Sequence, residues 1–465
     1  MSVTLPAGHV EAPATSLLEA LARYAVGIRL EQVPQSVREQ AKLCILDTIG
    51  CIVAGSGIEE AKILLEGERA RDARPEASVI GANTKLSAEA ATRVNGYMGD
   101  ILELNDIIAG HASIGNVSAA LALGQACKAT GAELLEAVIT GIEVTGRVYS
   151  AFYSSMKPYT ETGMAVVGFP STIGAAAAAS RLLGLDRERT QHALEIAGAL
   201  AGWCPAEVIF GQGGTIKPML FGAWPGSVGI AAARYARDGL GGPPRLLESG
   251  IGYYVTVARH SDPGAVLDAQ TWYLANPRRK VHACCGYLHS ALDAVTAMRR
   301  EGVRFEEAAA IEVRMPGHLV PAVSKSGPPQ SANQARFHAE YCLALAASGA
   351  EVIAPEHSVS FSGFTERPEI ASMMKKFRIC AGPGLTHYYQ CTVSLLDGAG
   401  AAVHRRDFAA PKGSPANPMN DEEVRDKFRR LAGARLPARG VDGYLKKFER
   451  LEQERGWEWL VASFD

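Results

Sequence analysis

Apolar positions in residues 14–56 recur at helical spacing: Leu17, Leu18, Leu21, Tyr24 and Ala25 share one face, and Val37, Ala41, Ile45 and Ile49 continue one. The pattern predicts two helices. From Ser87 to Gly241 the chain is rich in Ala, Gly and Leu, as in GAAAAASRLLG (174–184) and HALEIAGALAG (192–202), which predicts helices packed at close range. Gly131, Gly184 and Gly239 read as helix stops and Asp186 as a cap. Strand-like alternation is scarce before residue 305.

After about residue 270 the pattern changes. AAIEVRMPG (309–317) and CTVSLLDGAGAAVHRRDF (391–408) carry β-branched or alternating positions, and DGAG reads as a hairpin turn. Helical stretches are predicted at 286–301 and 334–349. Beyond a Pro/Gly loop, Asn420 or Asp421 caps a charged helical stretch over 420–465. The expected fold class is mainly α: a helical domain (1–272), an α+β insertion (273–410), and a return to the helical domain (411–465).

The length of 465 residues exceeds what one hydrophobic core usually serves, in keeping with that division. Lys plus Arg (47) nearly balances Asp plus Glu (49) with no basic run, so no nucleic-acid or anionic-membrane partner is expected and the ligand is small. The first residues show no secretory signal, and no apolar run reaches the roughly eighteen residues of a membrane helix, so a cytoplasmic protein is expected. The 9 cysteines are scattered without C-x-x-C pairs and read as reduced, buried side chains. Cys284 and Cys285 are adjacent, and neighbours rarely chelate one zinc together, so no metal site is expected.

Several common chemistries fall away. In GQGGTIKP (211–218) Lys217 precedes Pro instead of Ser or Thr, so this is not a phosphate loop. GLGGPP (239–244) lacks the third glycine of a dinucleotide fingerprint, and PGSVG (225–229) misses a nucleophile elbow by one position. Polar residues in small, apolar surroundings remain. In DILELNDIIAGH, Glu103, Asn105, Asp106 and His111 share one helix-to-loop segment, which reads either as a site or as caps and solvated turns. Lys217 lies between a Gly-rich stretch and apolar MLFGAW, a setting that desolvates an amine and lowers its pKa. Lys280 and His289 lie at the expected domain junction, and Tyr341 begins an apolar helix, where a core aromatic is the plainer reading.

Together these segments resemble the MmgE/PrpD family, which includes 2-methylcitrate dehydratase, cis-aconitate decarboxylase and iminodisuccinate epimerase. The resemblance runs through LDTIGCIVAGSG (46–57), KLSAEAATRVNG (85–96), GIEVTGR (141–147), FPSTIGAAAAASRLLGL (169–185), TIKPMLFGAW (215–224), KVHACCGYLH (280–289) and GSPANPMNDEEVRDKF (413–428). It implies an all-helical domain made from both chain ends, an inserted α+β lid, a cleft between them, a homodimer, and chemistry without metal or organic cofactor. It also implies His111, Lys217 and Tyr341 as catalytic groups with Lys280 at the lid junction, and Glu103, Asp106, Lys280, Cys285 and His289 are expected around a small carboxylate substrate. Cations would hold the carboxylate and developing enolate while His or Tyr moves the proton.

The chain departs from the family where the usual stretch reads roughly H-A-x-D-F-D-D: Asp100, Glu103, Asn105 and Asp106 occupy the polar positions, and the loop to His111 is shorter. Gly168 and Phe169 stand where many members carry a histidine. With Ile107 and Ile108 added, the pocket is expected to be less polar than methylcitrate or aconitate would want. Tyr153, Lys157 and Tyr159 read either as compensation or as an exposed loop. The expected activity is a lyase, dehydratase or decarboxylase; an isomerase using the same α-proton, or a silent family member that only binds, are the alternatives.

Overall fold

Both helices expected near the start form, as Leu17–Gly27 and Gln35–Gly55, in a computed structural model that describes residues 15–72, 74–456 and 459. The reading of residues 1–14 as free of a signal, and the last stretch of the expected C-terminal helix, lie outside the described residues. Ser16 caps the first helix by accepting from Glu19 N at 3.1 Å. The second buries every residue from Ala41 to Val53, chiefly against Ala88–Asp100 and the C-terminal Asp421–Ala432.

Ala88–Asp100, Ala112–Cys127 and Gly131–Tyr153 pack on this second helix, and Gly168–Leu182 packs in turn on Ala112–Cys127, Gly131–Tyr153, Arg187–Leu200 and Trp224–Arg237. Asp186 caps the Arg187 helix as predicted, and Gly184 and Gly239 follow helix ends with φ 64° and 101°. Gly131 departs from its predicted role. It opens a helix capped by Thr130, and a Cβ there would lie 1.8 Å from Leu451 O, so close approach of the C-terminal segment requires glycine.

Two small sheets form among the described residues. One pairs β1 (Ala77–Ser78) with β2 (Lys85–Leu86), while the other contains β3 (Ala310–Met315), β4 (Phe377–Ala381), β5 (Cys391–Leu396) and β6 (Ala402–Phe408). Its order is β4-β3-β5-β6, with β3 parallel to β4 and antiparallel to β5. The β5–β6 hairpin closes where predicted, with Asp397 Oδ1 accepting from Ala399 N and Ala401 N, each at 2.9 Å. Charged β6 forms an exposed edge, which discourages pairing with another chain. The stretch expected as one helix over 334–349 breaks into Ala332–Arg336 and Ala339–Ala347, because His338 turns out to cap the second by accepting from Tyr341 N at 3.2 Å.

The buried apolar side chains form two clusters. One joins the N-terminal helices to Val424, Phe428, Leu431 and Tyr444 of the C-terminal helices Asp421–Ala432 and Ala438–Phe448. The other is built mainly from residues 284–395, with Val208, Ile209 and Phe221 joining it. Asn420 caps the C-terminal helix in a reciprocal box with Glu423. No single described helix is long and apolar enough to cross a membrane.

Candidate functional site

Helix Ala88–Asp100 ends on Asp100, and helix Ala112–Cys127 begins after His111, its N-cap residue. The intervening loop is strained: Glu103 (φ 53°) and Ala109 (φ 44°) adopt left-handed backbone without being glycine, and Gly110 follows at φ 90°. Contacts from distant parts of the chain hold it there. Ile107 N donates to Arg278 O at 2.9 Å, and Lys427 Nζ donates to Leu104 O at 2.8 Å. Asp106 works inside the loop, accepting from Ser113 Oγ and, at 3.5 Å, from Ile108 N.

Lys217 reaches the loop from the Gly-rich segment. After it, Met219–Ala223 forms a π-helical turn, a feature that recurs at functional sites. That turn sets Phe221 under the lysine, with Nζ 4.5 Å from the ring centroid, and 5.2 Å from the His111 ring. Helix Ala88–Asp100 fits against the turn because residue 96 is glycine: a Cβ there would lie 2.7 Å from Ala223 Cα.

Four buried charged side chains meet at this point. Lys217 Nζ donates to Asp100 Oδ2 at 2.8 Å and to Glu103 Oε2, while Lys280 Nζ donates to Glu103 Oε1 at 2.6 Å. Burial raises a carboxyl, yet the two ammonium groups beside Glu103 outweigh it and hold Glu103 well below the usual range. Asp100 shares only Lys217 directly, so burial wins and its pKa rises, helped by the neighbouring Glu103 charge. Lys217 corrects the expectation of a lowered pKa. Burial does disfavour its charge, but Asp100 and Glu103 more than compensate, and it is raised.

His111 is held well below its ordinary pKa by burial first and by the Lys280 charge second, so it is neutral at physiological pH. Asn105 Nδ2 donates to its Nδ1 at 2.8 Å, which places the imidazole proton on Nε2. Asp100 Oδ1 lies 3.6 Å from the same Nδ1.

His111, Glu103 and Lys280 line a cavity whose remaining walls are largely aromatic: Phe221, Phe337, Tyr149, Tyr153, Tyr159, Tyr287 and Tyr388. Ile107, Val167 and Ile209 add apolar surface, and Arg278 adds a cation. Burial keeps the phenols protonated, with Tyr153 and Tyr159 each pushed up to about 12 and Tyr149, Tyr287 and Tyr388 well above their ordinary value.

The family model for the MmgE/PrpD N-terminal domain matches residues 19–265, and that for the MmgE/PrpD C-terminal domain matches 282–447. The chain belongs to the MmgE/PrpD family. Among MmgE/PrpD relatives, cis-aconitate decarboxylase of Mus musculus is 27% identical over 462 residues, covering 94% of this chain and 91% of the relative. The Homo sapiens cis-aconitate decarboxylase is 26% identical over 464 residues, covering 94% and 92%. That of Aspergillus terreus is 24% identical over 455 residues, covering 89% of each chain. Family and relatives alike indicate an enzyme, and they give the isomerase alternative no support.

Of the residues singled out in the sequence, His111, Glu103, Lys280 and Cys285 line the cavity, and Lys217 stands behind Glu103. Others do not converge. Tyr341 donates its hydroxyl to His357 O at 2.6 Å and packs in the second apolar cluster, away from the cavity wall. Asp106 is taken up by Ser113, and His289 is buried with its ring 5.1 Å from His282, so neither lines the cavity. The expected convergence of ammonium, imidazole and phenol is corrected accordingly: the phenols present come from other tyrosines.

Tyr153 and Tyr159, read as site or exposed loop, both line the cavity, whereas Lys157 donates to Val255 O at 2.7 Å. Where many MmgE/PrpD members carry histidine, a Cβ on Gly168 would meet Leu220 O at 2.7 Å, and the Phe169 ring stacks on Tyr253. Sequence reasoning missed Arg278, Tyr149, Tyr287 and Tyr388. Arg278 carried a signal, standing two positions before Lys280 in RRK. The tyrosines carried none, because their rings meet only through the fold.

Proposed function

We propose that this protein is a lyase that removes carbon dioxide from a small unsaturated carboxylic acid, with the chemistry carried by its own side chains. The observation that carries the reading is the bridge of Glu103 between Lys217 and Lys280 beside a neutral His111, at the wall of an aromatic cavity. The cis-aconitate decarboxylases among its relatives support the decarboxylase form.

In this reading Lys280 holds a substrate carboxylate, and its charge favours the enolate-like state that develops as the C–C bond breaks. The departing carboxylate leaves as carbon dioxide, and its bonding electrons remain on carbon, conjugated with the retained carboxylate. A proton from His111 Nε2 converts that electron pair into a C–H bond. Asn105 keeps Nδ1 occupied, so the ring recovers its Nε2 proton from water as the product leaves. The aromatic walls exclude water from the charged intermediate.

The same proposal keeps residues 273–410 as an α+β lid on a helical domain made of 1–272 and 411–465, working as a cytoplasmic homodimer. The test is release of carbon dioxide from cis-aconitate and smaller unsaturated acids, followed by mass spectrometry. Turnover is expected, and His111→Ala should lower it roughly a hundredfold or more. An unchanged rate in that variant removes His111 from the proton path, and no carbon dioxide from any acid removes the lyase reading.

A further inference from the structure

Lys217 is paired with both Asp100 and Glu103, while Lys280 gives two of its three N–H groups to Glu103 and has one left for a first substrate carboxylate. Arg279 is occupied elsewhere, donating to Gln40 Oε1 at 2.8 Å. Arg278 differs. It lines the cavity, it is half-buried, and among the described residues no carboxylate lies within ion-pairing distance of it.

Its surroundings are neutral rings. The guanidinium carbon lies 5.8 Å from the centroid of Tyr388, and Tyr389, Tyr153 and Tyr149 are the next groups in its field. A cation flanked by aromatic faces is partly stripped of water yet not neutralised, which leaves it ready for an anion from outside the protein. A guanidinium offers a planar fork that fits a carboxylate with two parallel hydrogen bonds, which an ammonium does not. Its main chain is fixed to the strained loop through Ile107 N, so its base is positioned relative to His111 and Glu103.

Resting on the lyase reading above, we propose that Arg278 is a specificity-determining residue that receives a second carboxylate of the substrate, making the preferred class an unsaturated dicarboxylate. One carboxylate lies at Lys280 and His111, the other at Arg278. Lys280 and Arg278 are the cavity-lining cations among the described residues, so a third carboxylate would have no cation of its own and would face aromatic rings.

Calorimetric titration with two probes tests this: glutaconate, a five-carbon unsaturated diacid, and crotonate, which is the same skeleton with methyl in place of one carboxymethyl group. The intact protein is expected to bind glutaconate roughly tenfold or more tightly than crotonate, the size of one charged hydrogen-bonded contact. Arg278→Gln should bring the two within about twofold by weakening glutaconate alone, and Arg278→Lys should keep an intermediate preference. Unchanged crotonate binding in both variants shows that the cavity still folds. A preference that survives in Arg278→Gln, an equal loss for both acids, or no preference in the intact protein overturns the assignment. Since binding is read and not turnover, Arg278 fails on the affinity ratio, while the lyase reading fails on carbon dioxide release.

Discussion

Glu103 carries two burdens: it holds left-handed backbone, and it is the carboxylate that both lysines share. Glu103→Gln would keep its shape but leave two buried ammonium groups with Asp100 as the remaining carboxylate, a loss of about 3–5 kcal/mol by the usual cost of breaking a buried pair. Urea denaturation should show it as a lower midpoint, and a change under 1 kcal/mol would mean that water has entered the cluster. Asp106 gives a second, pH-dependent expectation. Burial first, and the Asp47 charge after it, lift its pKa from 3.8 to about 6, with the Ser113 hydrogen bond partly offsetting the rise. The folded state therefore holds this proton to higher pH than the unfolded chain does, so stability from Asp106 is full below about pH 4 and is lost as pH climbs to about 6. The loss is on the order of 3 kcal/mol. Asp106→Asn should be flat across that window relative to the parent, and parallel curves would rule the effect out. At this scale the sequence disclosed the polar residues but not their assignments. DILELNDIIAGH placed Glu103, Asp106 and His111 together because they are neighbours, yet which one faces the cavity depends on φ angles that no residue type announces. Tyr341 misled for a related reason, since an apolar helix with a phenol at its start looks the same whether the hydroxyl meets a ligand or His357 O.

Elements place these residues through close packing. The π-helical turn Met219–Ala223 and helix Ala88–Asp100 touch backbone to backbone at Gly96. Gly96→Ala would drive a methyl to 2.7 Å from Ala223 Cα, so one element must retreat, carrying Lys217 or Asp100 with it. Overpacking of this kind costs about 1–3 kcal/mol. We expect a lower melting temperature together with a fall in turnover larger than instability alone explains at a temperature where the variant is folded. Unaltered turnover would show that the cluster tolerates the shift. Helix positions were legible because long amphipathic or small-residue runs impose a period of 3.6, and the hairpin was legible through DGAG and its Asp397 turn. Strand β4 escaped notice: FRICA is short, and its place beside β3 comes from parallel pairing across more than sixty residues. The break at His338 was hidden as well, because its ring acts as a cap only once the turn exists.

Across the whole molecule, one link joins the end of the chain to the site. Lys427, on helix Asp421–Ala432, pairs with Asp47 at 2.8 Å and donates to Leu104 O inside the strained loop, with all three residues buried. Lys427→Met keeps the length of the side chain but strands the Asp47 carboxylate, for about 3–5 kcal/mol. Because the loop also loses a support, ligand-free hydrogen exchange at residues 101–111 should quicken well beyond that elsewhere, and uniform quickening would assign Lys427 to global stability alone. The link spans 323 positions. A ribosome must therefore have delivered almost the entire polypeptide before Leu104 meets its partner. A message cut short ahead of the Lys427 codon yields a product in which the strained loop lacks this support and Asp47 lacks its cation.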